Sequence, residues 1–120
     1  MLFPDLVPRA LVTLTKRGVT VIGEREARLL EAVDRVRSIK DAASEAGISY
    51  RTAWSVIQQM EQALGRPMVV SRAGGSGGGA TTLTDECRQL LALYQDLRRR
   101  LEESVTRLRQ SPEPAAQAGD

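Results

Sequence analysis

The stretch Ile39–Ile57, IKDAASEAGISYRTAWSVI, limits what this chain can fold into more than any other part of it. Two short helices can cross closely only where the contact residues are small, and Ala42, Ala43 and Ala46 supply such a contact. Gly47 follows, and a residue without a Cβ turns left-handed at no steric cost. Ile48 stands where a side chain can plug the core beneath the turn, and Ser49 is suited to cap the next helix. Ala53, Val56, Ile57, Met60 and Leu64 then give that helix, Tyr50–Leu64, one apolar side. Small, glycine and apolar positions in this order are the pattern of a helix-turn-helix.

With that apolar side turned inward, Ser49, Tyr50, Arg51, Trp54, Ser55 and Gln58 face outward. They are hydrogen-bonding and stacking side chains in the first half of what would be a recognition helix, where base edges are read. Arg51 can grip a guanine edge with two bonds, a contact worth roughly 1–3 kcal/mol of discrimination. Ser49, Tyr50 and Ser55 suit phosphates or bases, Gln58 suits an adenine or a phosphate, and the helix N-terminus itself attracts a phosphate. Trp54 has two readings, packing on the first helix or the wing, or contact with DNA. The whole motif also has a plainer one, because a glycine between Ala-rich helices occurs in ordinary helical domains.

The flanks extend the pattern. Ala10–Lys16 alternates as a strand, Arg17-Gly18 reads as a turn, and Val19–Ile22 returns, so a hairpin is expected to end at Gly23. Glu24–Val36 has helical spacing, with Ala27, Leu30, Val33 and Val36 on one face and Glu24 and Glu26 in the first turn. Ser38 resembles the N-cap of a short helix, Ile39–Ala46, with Asp41 three residues later. Past Gly65 and Pro67 come a strand at Pro67–Arg72, a loop at Gly74–Gly79, and Thr81–Leu83 as the other strand of a small wing. Thr84 caps a long helix running to about Gln110. Leu90, Tyr94, Leu97, Leu101, Val105 and Leu108 recur along it at spacings of three or four, the pattern of a coiled-coil seam. The last ten residues, SPEPAAQAGD, are small, polar and Pro-containing, and are expected to be disordered. The expected fold class is mainly α with small β hairpins. Residues 1–83 form a winged helix-turn-helix DNA-binding domain with an N-terminal hairpin, 84–110 a dimerisation helix, and 111–120 a tail.

Composition excludes more than it selects. Fifteen Arg against two Lys suits phosphates and guanine edges, but equally suits a GC-rich genome, and the net charge is only +2. With no His and a single Cys, the chain can form neither an internal disulfide nor a usual zinc cluster. Cys87 is expected as a small apolar residue in or near the seam. The carboxylates are scattered, no nucleophile–base pair can be assembled, and no enzyme, cofactor or metal site is expected. Met1–Ala10 is interrupted by Pro4, Asp5 and Pro8, so it reads as neither signal peptide nor membrane span, and a cytoplasmic location with no membrane partner is expected. The glycine loop lacks the Lys-Ser/Thr ending of a phosphate loop and reads as a wing tip free to approach a DNA backbone, with Arg72 at its base as a phosphate contact. Arg98, Arg99 and Arg100 point about 100° apart on a helix, and are expected on a solvated flank with Glu102 and Glu103 as partners.

Three segments, LLEAVDRVRSI, AGISYRTAW and GGSGGGATTLT, carry a family likeness. Over Leu29–Leu108 the chain resembles the N-terminal DNA-binding domain of the ModE family of molybdate-responsive transcriptional regulators, itself similar to LysR-type winged helices. The resemblance implies that Tyr50–Leu64 enters the major groove, that Pro67–Leu83 is the wing, and that the helix after Thr84 forms a two-fold dimer. Three positions depart from the family pattern. Ser76 stands where the loop usually carries a Lys, Arg37 where a Gly precedes the motif, and Cys87 where a Gly lies early in the long helix. Ser38, Ser49, Tyr50, Arg51, Thr52, Trp54, Ser55, Gln58, Arg72 and Ser76 are thus the candidate DNA contacts, with double-stranded DNA and a second copy as partners. The 120 residues offer no buried anion pocket of the kind that molybdate-binding domains carry, so the expectation is a regulator without them and without a small-molecule ligand. The rival expectation is a winged helix that binds a partner protein, as an adaptor or as an antagonist that pairs with a full-length regulator. The polar outward face favours DNA over a protein partner.

Overall fold

The chain runs β1 (Leu14–Lys16), β2 (Val19–Ile22), α1 (Glu24–Val36), α2 (Ile39–Ala46), α3 (Tyr50–Leu64), β3 (Val69–Arg72), β4 (Ala80–Leu83) and α4 (Asp85–Gln110). The structure, a computed structural model, describes residues 3–74 and 79–110, so Ser76 and the expected tail at 111–120 lie outside the described residues. The architecture is mainly helical with two small antiparallel hairpins, β1–β2 and β3–β4.

Each helix starts and stops for a local reason. The backbone N–H of Gly23 donates to Glu26 Oε1 at the head of α1 (2.7 Å). Ser38 caps α2 by accepting from Asp41 N–H (3.1 Å), and Ser49 caps α3 by accepting from Thr52 N–H (3.0 Å). Between α2 and α3, Gly47 sits at φ 73°. Gly47 N–H donates to Ser44 C=O (3.2 Å) and Ile48 N–H to Ala43 C=O (3.0 Å). That pair of bonds is the Schellman ending, which satisfies the last carbonyls of α2 while reversing the chain. α1 ends differently: Arg37, a residue with a Cβ, adopts the left-handed conformation at φ 59°.

The core forms where α1, α2 and α3 meet and α4 closes over them. Leu29, Leu30 and Val33 of α1, Ala42 and Ala43 of α2, and Ala53, Ile57 and Met60 of α3 are all buried. Ala42 and Ala53 have no exposed surface, as a close crossing of α2 on α3 requires. Ile48, Trp54 and Leu64 pack on the edge of this cluster. Cys87, Leu91 and Tyr94 bring the first half of α4 into it.

The wing is fastened at both ends. Val69 pairs with Leu83 and Arg72 with Ala80 in an unbroken antiparallel register. At its base the Thr84 hydroxyl donates to Pro67 C=O (2.8 Å), while its oxygen accepts from Cys87 N–H (3.1 Å) and so caps α4. Thr81 N–H donates to Arg37 C=O (3.0 Å), which ties the wing to the end of α1. A Cβ on Gly79 would lie 2.5 Å from Arg72 C=O, so only glycine lets the returning strand come this close.

Four expectations need correction. The first strand begins at Leu14 rather than Ala10, because β2 has four residues and ends at the head of α1, leaving earlier residues without a partner. The wing strand begins at Val69 rather than Pro67, whose carbonyl is taken by Thr84. Cys87 has no exposed surface and lies in the protomer's own core, not at a seam. Tyr94, placed on the seam by its spacing, is 1% exposed and belongs to that same core.

Candidate nucleic-acid interface

α3 presents two faces of opposite character. Ala53, Val56, Ile57 and Met60 are at most 3% exposed. Half a turn away Arg51, Ser55 and Gln58 are all exposed, one above another at helical spacing. At 1.5 Å per residue this row is about 10 Å long, the length of about three base-pair steps. Tyr50 stands at the head of the row, 55% exposed.

The remaining candidate residues split by what their side chains already do. Ser49 donates from its hydroxyl to Thr52 Oγ1 (2.9 Å) while capping the helix, so Ser49 and half-buried Thr52 are held by each other. The Ser38 oxygen is engaged in the same way at the head of α2. Trp54 is half-buried against the core edge, and its ring meets that of Tyr50 edge-on with centroids 6.4 Å apart at 88°. It packs on the core edge and supports the Tyr50 ring, while the rest of its surface stays accessible beside the outward row. Arg72 is exposed at the tip end of β3, on the paired part of the wing.

Electrostatics also sets α3 apart. α1, α2 and α4 each carry a carboxylate in the first turn, whereas α3 carries none. Its positive N-terminal end, capped by the neutral Ser49, thus carries no carboxylate of its own to repel an anion. Glu61, the one carboxylate on α3, is turned away and accepts from Met68 N–H (2.8 Å).

A second exposed surface runs along α4. Leu90, Leu97, Leu101 and Val105 are half-buried, and Leu108 is 55% exposed. Leu93, which the spacing rule passed over in favour of Tyr94, is 51% exposed on the same stripe. Spacings of three and four fit both residues; only the packing of α4 on α1 decides which one turns inward. That packing rests on buried Cys87, Leu91 and Tyr94 and is bordered by three polar bridges: Arg88 to Asp34 (2.6 Å), Gln95 to Glu31 (2.7 Å) and Arg98 to Glu31 (3.9 Å). The arginine run lies on the flank as expected, with Arg99 bonded to Glu103 (2.9 Å) and Arg98 near Glu102 (3.9 Å). Asp96 adds partners to Arg99 and Arg100, and the hydrogen bond from Arg99 holds its carboxyl below the usual range. Among the described residues no group of His, Cys, Asp and Glu is placed to hold a metal ion. No described helix is long and apolar enough to cross a membrane.

The profile of bacterial regulatory helix-turn-helix proteins of the lysR family matches residues 25–88 of this chain. The molybdenum transport protein ModE of Azotobacter vinelandii is 39% identical over 89 residues, covering 74% of this chain and 33% of that protein. The DNA-binding transcriptional dual regulator ModE of Escherichia coli is 39% identical over 85 residues, covering 70% of this chain and 32% of that protein. This chain therefore spans about a third of the length of these relatives. Among solved structures, the complex of the BenM DBD with benA site 1 DNA aligns with a TM-score of 0.54 at 21% identity, covering 72% of this chain and 91% of that one. That likeness shows a common fold.

Proposed function

The chain belongs to the lysR family of bacterial regulatory helix-turn-helix proteins, and from this we propose that it is a sequence-specific, DNA-binding transcriptional regulator of the ModE-like kind, acting as a homodimer. The observation that carries the reading is the outward row of α3, where Arg51, Ser55 and Gln58 are free of the protein's own interior. α3 enters the major groove of double-stranded DNA. Arg51 reads a base edge there, Tyr50, Ser55 and Gln58 complete the contact, and the caps Ser38, Ser49 and Thr52 hold the helix ends against the backbone. Arg72 and the wing tip at Ser76 reach neighbouring phosphates, which supply affinity, while the base contacts supply register. The DNA in the BenM complex and the regulatory names of the ModE proteins support this assignment by family, not by contact. A regulator of this kind works in the cytoplasm, where bacterial DNA is.

The second copy joins through α4, along Leu90, Leu93, Leu97, Leu101, Val105 and Leu108. Two-fold symmetry then calls for a site with roughly palindromic halves, about one helical turn or a multiple of it apart. The test is selection of genomic fragments by the purified protein, followed by titration of the selected duplex and a random duplex. Arg51→Ala should weaken cognate binding by about 1–3 kcal/mol and random binding far less. Equal losses on both duplexes would reduce Arg51 to a phosphate contact, and no retention of any duplex at low salt would end the reading. Molybdate should leave the affinity unchanged, because the reading gives it no site in these 120 residues.

A further inference from the structure

Near its N-terminus the chain carries four large apolar side chains that its own protomer does not cover. Phe3, Leu6, Val7 and Leu11 are 59%, 65%, 62% and 68% exposed. The backbone that bears them is nonetheless held in place. Leu6 N–H donates to Phe3 C=O (3.2 Å), which closes a turn over Pro4-Asp5. The Arg109 guanidinium donates to Pro8 C=O (2.9 Å), and Val12 and Leu14 pack on the core. Arg9–Val12 form one wall of a groove of about 380 Å³ whose other wall includes Tyr94, Arg98, Val105 and Arg109 of α4. The segment therefore lies along the C-terminal half of α4.

That groove borders the leucine stripe. Val105 lines it, and Leu101 and Leu108 stand four and three residues from Val105, its immediate neighbours on the helix surface. Leu11 of the arm and Val105 of the stripe thus line one groove, together with the charged Arg9, Arg98, Glu102 and Arg109, and Phe3, Leu6 and Val7 stand exposed on the segment that leads into it. The stripe alone is short. From Leu90 to Leu108 it covers about 27 Å, somewhat under three heptads, whereas a sustained coiled-coil pattern runs over about three or four. A specific interface buries about 1,200–2,000 Å² in total, so the second copy needs surface beyond the seam. Residues 111–120, SPEPAAQAGD, hold no large apolar side chain and are unsuited to cover the patch.

We infer that residues 3–11 are a dimerisation arm that packs Phe3, Leu6, Val7 and Leu11 on the α4 helix of a second copy, alongside the leucine seam. This rests on the homodimer proposed above. Under two-fold symmetry each α4 receives the other protomer's arm.

The test measures the dimer dissociation constant by sedimentation over a concentration series, for the full chain and for the triple variant Leu6→Ser, Val7→Ser, Leu11→Ser. These side chains are exposed in the protomer, so the variant should keep the wild-type helical signal while its dissociation constant rises about tenfold or more. A second measurement places a benzophenone on Val7→Cys. Cys87 is buried and does not compete for the label. Illumination should give a covalent dimer, and Thr20→Cys on the N-terminal hairpin should give none. A dimeric wild type with an unchanged constant in the triple variant, or only intramolecular products from Val7→Cys, overturns the arm and leaves the α4 dimer standing. A monomeric wild type overturns both.

Discussion

Replacing Arg37 by glycine should stabilise the protein, because it removes a backbone strain without touching a packed side chain. Arg37 lies at φ 59°, ψ 34°, where the Cβ of an ordinary residue crowds the following carbonyl at a cost of about 1–2 kcal/mol. Its side chain is exposed, so deleting it opens no cavity. The two backbone bonds at this residue, its N–H to Val33 C=O (2.8 Å) and its C=O from Thr81 N–H (3.0 Å), are available to glycine as well. Against the relief stands the greater freedom of glycine in the unfolded chain, about 0.5–1 kcal/mol. The net gain is about 0.5–1 kcal/mol, or roughly 2–8 °C in Tm for a domain of this size.

Thermal melting of wild type, Arg37→Gly and Arg37→Ala reads this directly. Alanine keeps the Cβ and the strain, so it should melt with the wild type, and glycine above both. If glycine and alanine melt together, the left-handed strain is not a property of the folded protein and the argument fails. The same variants separate backbone from side chain in binding. The wing is tied to the carbonyl of residue 37, so any change in duplex affinity common to both variants reports the lost guanidinium.

Two further outcomes follow from burial and charge. Leu97→Glu or Leu101→Glu should give monomers by light scattering, since either places a carboxylate inside the proposed seam; an unchanged dimer would refute the seam. Burial pushes the Cys87 thiol up from 9.0 to about 12, so the unfolded chain loses this proton before the folded one does. The stability due to the thiol is then complete below pH 9 and lost as pH rises toward 12, and denaturant titrations across that window should fall more steeply for wild type than for Cys87→Ala. Parallel slopes would contradict it.

The helical ranges were legible because each boundary is written in one or two residues: Gly47 and Gly65 stop helices, and Ser38, Ser49 and Thr84 start them. The outward row of α3 was legible for a related reason, as burying Ala53, Val56 and Ile57 leaves Arg51, Ser55 and Gln58 nowhere else to go. What could not be read is whatever depends on a neighbour distant in sequence. Ala10–Val12 alternate like a strand, yet border α4 because β2 is too short to pair with them. Tyr94 and Leu93 are adjacent in sequence and both fit the seam spacing, and only contact with α1 separates them. Phe3, Leu6, Val7 and Leu11 fall at spacings of three and four, but Pro4 and Pro8 bar a helix there, and where the segment lies is visible only once Pro8 is seen held by Arg109.

The long helix links these surfaces mechanically. One side of α4 is sunk in the core through Cys87, Leu91 and Tyr94, and is bridged to α1 by Arg88, Gln95 and Arg98. α1 in turn packs against α2 and α3, and its last carbonyl holds the wing. Among the described residues the leucine stripe and the recognition row are connected through packed side chains and hydrogen bonds. If two copies pair along that stripe, the separation of their recognition helices is therefore set by how α4 lies on α1, and half-site spacing becomes a consequence of Glu31 and Asp34 as much as of any residue that meets the duplex. Loosening those bridges should broaden the tolerated spacing before it lowers affinity for a single half-site.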